Sequence, residues 1–168
     1  MIESIDVPYA AIRRQLSASV DFATVTRRLE EQLGVMDLGA LDAVAARRDG
    51  EAGLRARLQS MAGPSGFAVF QKIDHGVILD VLASRPARAI TYVFGNALIA
   101  MEMTRHAPEV GLYVPPRLFV IEPRAGTTAI SYDVPSAAFA QFGDAVVMVV
   151  ARGLDAKIEA LVRTALGG

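Results

Sequence analysis

The chain of 168 residues has no cysteine and no tryptophan, and only two histidines, His75 and His106. Without cysteine there is no disulfide frame, no thiolate nucleophile and no sulfur ligand for zinc. The two histidines do not show the His-Glu-x-x-His spacing of a metalloprotease helix, so neither a metal site nor a cofactor is expected. Long apolar runs are missing as well. The longest near the C-terminus, "AVVMVVA" at 145–151, falls far short of the roughly 20 residues that a bilayer-spanning helix requires. The opening "MIESIDVPYA" has an early acid and a proline but no basic stretch leading into an apolar one. No signal peptide is therefore expected, and the cytoplasm is the default location.

An excess of one charge is also absent. Seventeen Lys and Arg face eighteen Asp and Glu, interleaved along the chain. Arginine pairs occur at 13–14, 27–28 and 47–48, yet the first 66 residues hold eight arginines against nine acids. No basic stripe builds up, so neither nucleic acid nor a membrane surface is an expected partner. Nor is there a Walker loop, a dinucleotide fingerprint or a nucleophile elbow, which leaves no phosphate loop or serine nucleophile to place.

What is present reads as one domain over residues 1–168, large enough to bury a core. Residues 10–18 suit an extended strand with Ile12 and Leu16 as inward anchors. In "SVDFATVTRRLEEQL", Phe22, Val25, Leu29 and Leu33 recur at helical spacing. Ser19 or Asp21 can cap that helix and Gly34 can stop it. Residues 37–62 read as a helical hairpin: Leu38, Leu41, Val44 and Ala45 form one stripe, Leu54, Leu58 and Met61 another, with a break at Asp49-Gly50. After the "GPSG" turn the period changes to two. "FAVFQKID" (67–74) predicts a strand with Phe67, Val69, Gln71 and Ile73 on one face, and "GVILDVL" a short helix. "RAITYVF" (88–94) is a second strand with Ile90, Tyr92 and Phe94 in phase. "RLFVIE" and "TTAISYD" around "PRAG" form a hairpin. Leu154, Ile158, Leu161, Val162 and Ala165 make a docking stripe on a C-terminal helix. The class is α+β, a mostly antiparallel sheet with helices covering one face.

The candidate chemistry gathers around "GNALIAMEMTRH" (95–106). Glu102 and His106 lie four apart and Glu102 and Arg105 three apart, so the three can share a helix face. A carboxylate beside an imidazole makes an acid–base dyad, but Arg and His in a last turn also simply complement the helix dipole. Gly95-Asn96 at a strand–helix junction offers either a cap or free N–H groups for a ligand oxygen. Asp74-His75 ends a strand, where sites gather, or caps the next helix. Tyr92, Tyr113 and Tyr132, with Met101 and Met103, supply either core packing or a soft cavity with polar tips.

Read in order, "GFAVFQKIDH", "FGN", "TRHAPEVGLYVPPR" and "ISYDVPS" resemble the domain-of-unknown-function family numbered 302, most specifically over residues 66–135. The chain looks similar to its long actinobacterial-style members, which carry extra helices before the Gly-Phe strand. The resemblance implies a β-α-β(4)-α plan similar to half of the TATA-binding-protein fold, and a homodimer. It fixes no activity. Two departures stand out: Gly95-Asn96-Ala97 replaces the family's Gly-Asn-Pro, and Pro115-Pro116 replaces Pro-Leu. In the family plan, Asp74, His75, Tyr92, Asn96 and the helix bearing Glu102 come from neighbouring elements. The expectation is therefore a cytoplasmic domain that binds a small apolar or aromatic molecule between the sheet and the 96–106 helix, with Asp74, His75, Tyr92, Asn96, Met101, Arg105, Tyr113 and Tyr132 as contacts. Two alternatives stay open: a cofactor-independent isomerase, cyclase or lyase using Glu102 and His106, and a homodimeric interaction module with no ligand.

Overall fold

The computed structural model describes residues 1–47, 50–83 and 88–168. Its elements run β1 (Arg13–Ala18), α1 (Phe22–Gln32), β2 (Leu33–Val35), α2 (Leu38–Arg47), α3 (Gly50–Met61), β3 (Phe67–Asp74) and α4 (Gly76–Ala83). They continue with β4 (Ala89–Gly95), α5 (Ala97–Thr104), β5 (Arg117–Arg124), β6 (Thr127–Asp133), α6 (Pro135–Phe139) and α7 (Ala145–Leu166). The strands form one sheet in the order β1-β6-β5-β4-β3-β2. All neighbours are antiparallel except β2 and β3, which run parallel. The class is α+β, as expected, and the sheet is mixed because β2 joins its edge. The β-α-β(4)-α succession is carried by β1, α1, β3 to β6 and α7, with the α2–α3 hairpin inserted before β3.

Local chemistry explains where the two large helices start. Asp21 Oδ1 accepts the Thr24 N–H at 2.9 Å and opens α1; such a cap contributes about 1 kcal/mol. Asp144 does the same for α7, accepting from Val146 and Val147, and Gly167 ends that helix at φ 93°. The whole predicted stripe of α7 is buried. It lies with Phe22, Val25 and Leu29 of α1 on a sheet face built from Ile90, Tyr92, Phe94, Leu118, Val120, Ile130 and Tyr132. Each large apolar side chain buried there contributes about 1.5–3 kcal/mol. Around Ala68, α3 adds a small satellite cluster with Met36 and Met61.

Three expectations shift. Ile12 is exposed, and it is Leu16 and Ala18 of the first strand that pack on the core. In β3 the predicted alternation holds for Phe67 and Val69 and then changes phase. A bulge between Val69 and Gln71 sets Lys72 opposite Tyr92 and Ile73 opposite Thr91, so Lys72 joins the helix-covered face and Gln71 and Ile73 leave it. Gly34 does not stop α1, which ends at Gln32; it sits in β2 opposite Ala68. Glycine is required there by close backbone approach, since a Cβ on Gly34 would collide with Met61 O and Gly63 N, and one on Gly63 with Gly34 N. Of the helical hairpin, Leu38 is exposed and Met61 buried. Asp49 and the side chains of Leu41, Val44 and Ala45 lie outside the described residues.

The glycine pair gives a direct test. Gly34→Ala should lower unfolding stability by about 2 kcal/mol or more in urea titrations, as overpacking against backbone does. Gly111→Ala, where a Cβ meets nothing, should change it by less than about 0.5 kcal/mol.

Candidate functional site

Strand β4 ends at Gly95, and the chain turns into α5 through Asn96 in extended backbone. Asn96 Oδ1 accepts the N–H groups of Leu98 at 2.9 Å and Ile99 at 3.2 Å. Its Nδ2 donates to the Gly66 carbonyl at 2.8 Å, tying the helix start to the turn before β3. The proline absent from position 97 is thus not needed to begin the helix. Opposite α5 runs Val114–Pro116, with a cis Val114–Pro115 bond. The Phe94 N–H donates to the Pro116 carbonyl at 3.1 Å and holds this segment beside the end of β4.

Between α5 and the prolines opens a pocket of about 240 Å³, walled by Phe70, Ile99, Met101, Pro115, Pro116 and Leu154. Among the described residues, its only polar side chains are Asn96 and Thr104, and no Asp, Glu, Lys, Arg, His or Tyr lines it. Such a site holds a molecule by burying apolar surface, not by ionic contact or proton transfer.

The residues singled out in the sequence are dispersed. Asn96 and Met101 line the pocket. Glu102 instead pairs with Arg105 at 3.0 Å on the outer side of α5, and His106 is exposed at the helix end. No side-chain bond joins Glu102 to His106 among the described residues, so the expected acid–base dyad is not formed. The reason is position along the helix: Ala97, Ile99, Ala100, Met101, Met103 and Thr104 of α5 line the pocket, and the charged residues fall on the remaining arc. Asp74 Oδ1 accepts the Gly76 N–H at 2.8 Å where α4 begins. His75 Nε2 and Thr91 Oγ1 share a hydrogen bond of 2.9 Å, on the sheet face away from α1 and α7. Tyr113 stacks edge-on with Tyr9, Phe139 and Phe142 in a separate cleft beyond Pro115 and Pro116. Tyr132 is buried under α7, with no partner for its hydroxyl among the described residues. Burial raises its pKa, and the Arg14 guanidinium opposes that rise. Arg14 itself pairs with Glu159 at 2.6 Å.

Tyr92 belongs to a tether beneath α1. Its hydroxyl donates to Glu30 Oε1 at 2.7 Å, and Lys72 Nζ donates to the same oxygen at 2.6 Å. Burial is the main reason the phenol's pKa rises well above its ordinary value, and the Glu30 carboxylate adds to it. Burial also pushes the Glu30 carboxyl upward, but the Lys72 and Tyr92 hydrogen bonds outweigh it and the net shift is downward. Neither group faces the pocket.

Phe70, Ile99, Thr104, Pro115, Pro116 and Leu154 are among the pocket residues that sequence reasoning did not assign to a site. The double proline was the visible signal; the others read as ordinary core. Among the described residues, no cluster of three His, Asp or Glu could hold a metal ion, and no helix is long and apolar enough to cross a membrane.

The tether makes the stability depend on pH at both ends. A raised tyrosine pKa contributes stability that is complete below the unfolded value near 10 and is lost as pH rises beyond it. Unfolding stability should therefore fall above pH about 10, and Tyr92→Phe should flatten that limb. The lowered Glu30 pKa acts oppositely. Its contribution is present above the unfolded carboxyl pKa and disappears as pH falls through the folded one, so Glu30→Gln should flatten the acid limb in the same urea titrations.

The profile of the family described as Domain of unknown function DUF302 matches residues 51–165. A solved structure titled "Crystal structure of uncharacterized conserved protein DUF302 from Bacillus stearothermophilus" superposes with a TM-score of 0.64 at 16% identity, covering 91% of this chain and 97% of that one. At that identity the likeness establishes the fold alone. No curated protein matches the chain. The family match spans well over half the sequence, and the observed fold agrees with that relative's: the chain belongs to the DUF302 family.

Proposed function

We propose that the chain is a small-molecule-binding domain whose pocket beside α5 receives a compact apolar or aromatic molecule. The observation that carries this is the pocket's size together with its walls. About 240 Å³ bounded by Phe70, Ile99, Met101, Pro115 and Leu154 exceeds the roughly 150 Å³ void that accepts benzene and stays free of water. It is smaller than the roughly 300–1,000 Å³ typical of sites for drug-sized ligands. One or two fused rings, or a short acyl chain, suit it. Methionine walls adapt to either shape, because the unbranched thioether side chain repacks at low cost. The remaining amide hydrogen of Asn96 and the Thr104 hydroxyl give such a ligand a polar contact at the rim. With no ionisable side chain on the walls among the described residues, the isomerase, cyclase or lyase alternative finds no support in this pocket. A purely structural module would have no need of the space. The cytoplasmic location expected from the sequence belongs to the same proposal.

Titration of indole, followed on the methyl resonances of isotopically labelled methionine, tests the reading. Met101 should shift saturably while Met1 and Met36 stay put. Ala100→Trp, which fills the pocket from its own wall, should weaken the interaction at least tenfold. Glu102→Gln and His106→Ala should leave it within about twofold, since neither side chain lines the space. Equal shifts at all methionines, or unchanged affinity in Ala100→Trp, would remove the pocket from consideration.

A further inference from the structure

Beyond the double proline lies a second hollow, of about 610 Å³, within the range of roughly 300–1,000 Å³ that suits small organic ligands. Separate parts of the chain build it: the N-terminal segment through Tyr9 and Ala11, the turn through Leu112 and Tyr113, the start of β5, and the end of β6 with α6. The Val134 N–H donates to the Ile12 carbonyl at 2.8 Å, which carries the pairing of β1 with β6 one step past Arg13. That bond anchors the N-terminal segment beside the cleft. There the Tyr9 ring meets the Tyr113 ring edge-on, with centroids 5.5 Å apart and planes at 81°. Phe139 adds a third ring, 6.1 Å from Tyr113. Leu112, also in the lining, is left 83% exposed.

In its charges this hollow differs from the pocket beside α5. Among the described residues, its lining holds one guanidinium, Arg117, and one carboxylate, Asp133. They stand on neighbouring strands, β5 and β6, two residues beyond the pairing of Phe119 with Ser131. Neither has an ion-pair partner among the described residues. The carboxylate also lies close to the phenols. The Tyr9 pKa is raised, chiefly by the Tyr113 hydroxyl beside it and in smaller part by Asp133. Two opposite charges that do not meet each other are both left open to a ligand. A guanidinium receives a carboxylate through two parallel N–H···O bonds, and a carboxylate beside aromatic rings receives an ammonium. Rings arranged edge to face offer a further ring both edges and faces to pack on.

We infer that this hollow is a second binding site, built for a free α-amino acid with an aromatic side chain. The ligand carboxylate meets Arg117, its ammonium meets Asp133, and its ring packs against Tyr9, Tyr113 and Leu112. A ligand with a single charge would satisfy one of the two residues and leave the other as it stands. A zwitterion matches both and, like the lining, carries no net charge. The inference goes beyond the pocket beside α5 and does not depend on it. Pro115 and Pro116 belong to both linings, but the α5 pocket offers no charged group to an amino acid.

Titration of L-phenylalanine into the full chain, with tyrosine and methionine isotopically labelled, reads the two sites in one sample. Of the four tyrosines, Tyr9 and Tyr113 should shift saturably, with a Kd of about 1 mM or tighter. Tyr92, Tyr132 and Met101 should stay in place. Phenethylamine lacks the carboxylate and 3-phenylpropionate lacks the ammonium, and each should bind about tenfold more weakly. Arg117→Gln should abolish the preference over phenethylamine, and Asp133→Asn the preference over 3-phenylpropionate. Loss of folding would not produce that exchange of preferences. Tyr9→Ser, in the exposed N-terminal segment, should weaken L-phenylalanine about fivefold with an unchanged melting temperature. Still resonances at Tyr9 and Tyr113, equal affinity for the three ligands, or variants that keep the wild-type preferences would each overturn the site. So would a shift at Met101 in place of the tyrosines, which would move the amino acid to the other pocket. Indole is read at Met101 separately, so failure of one site is told apart from failure of the other.

Discussion

The Asn96 carboxamide accepts from two N–H groups at the start of α5 and donates to the carbonyl of Gly66. Through those three bonds the end of β4, the beginning of α5 and the turn leading into β3 are fixed to one another. Everything about the pocket follows from that junction. It sets the angle at which α5 leaves the sheet, and the Phe94–Pro116 hydrogen bond sets where the facing prolines run. The space between them is what remains when both walls are anchored to backbone. Side chains would fill it if α5 could settle inward, and the carboxamide prevents that by holding the helix at its first turn.

The two sides of α5 differ in chemistry. Ala97, Ala100, Met101 and Thr104 are among the residues that line the pocket, whereas Glu102 and Arg105 bind each other outside. An ionised carboxylate placed on the inner side would lose its hydration without a partner, at a cost of several kcal/mol. On the outer side it costs nothing of the kind, and Arg105 near the helix C-terminus complements the exposed carbonyls. The same economy governs Tyr92, whose hydroxyl is buried because Glu30 accepts its hydrogen bond.

The parts of the fold that could be read from sequence are those with a sustained period. The α7 stripe and the triplet Ile90, Tyr92, Phe94 repeat long enough for the pattern to outweigh chance, and both are buried as expected. The bulge in β3 leaves no mark, because Phe70 is an ordinary strand residue and the change of phase arises from pairing with β4. Strand β2 is three residues long and exists only because β3 lies beside it. The expectation put a cavity between the sheet layer and the 96–106 helix; the pocket in the structure opens between α5 and Val114–Pro116. Its lining was not legible, since Ile99, Phe70 and Leu154 carry no chemical label that separates a cavity wall from a filled core. Polar residues attract the eye in a sequence; in this structure Asp74, Tyr92 and Asn96 hold the chain together at helix starts and tethers.

Strand β2 meets β3 only from Phe67 to Val69, so among the described residues no strand pairs with the rest of β3 on that side. Bare rims of this sort invite recruitment of foreign strands and, eventually, fibrils. Three features of the segment discourage that outcome: the kink at Phe70, the ammonium of Lys72 and the carboxylate of Asp74. At the far margin, Arg13 and Arg14 on β1 repeat the device. Crowded in a cell or concentrated in a tube, the molecule is thereby shielded from end-to-end polymerisation along its sheet.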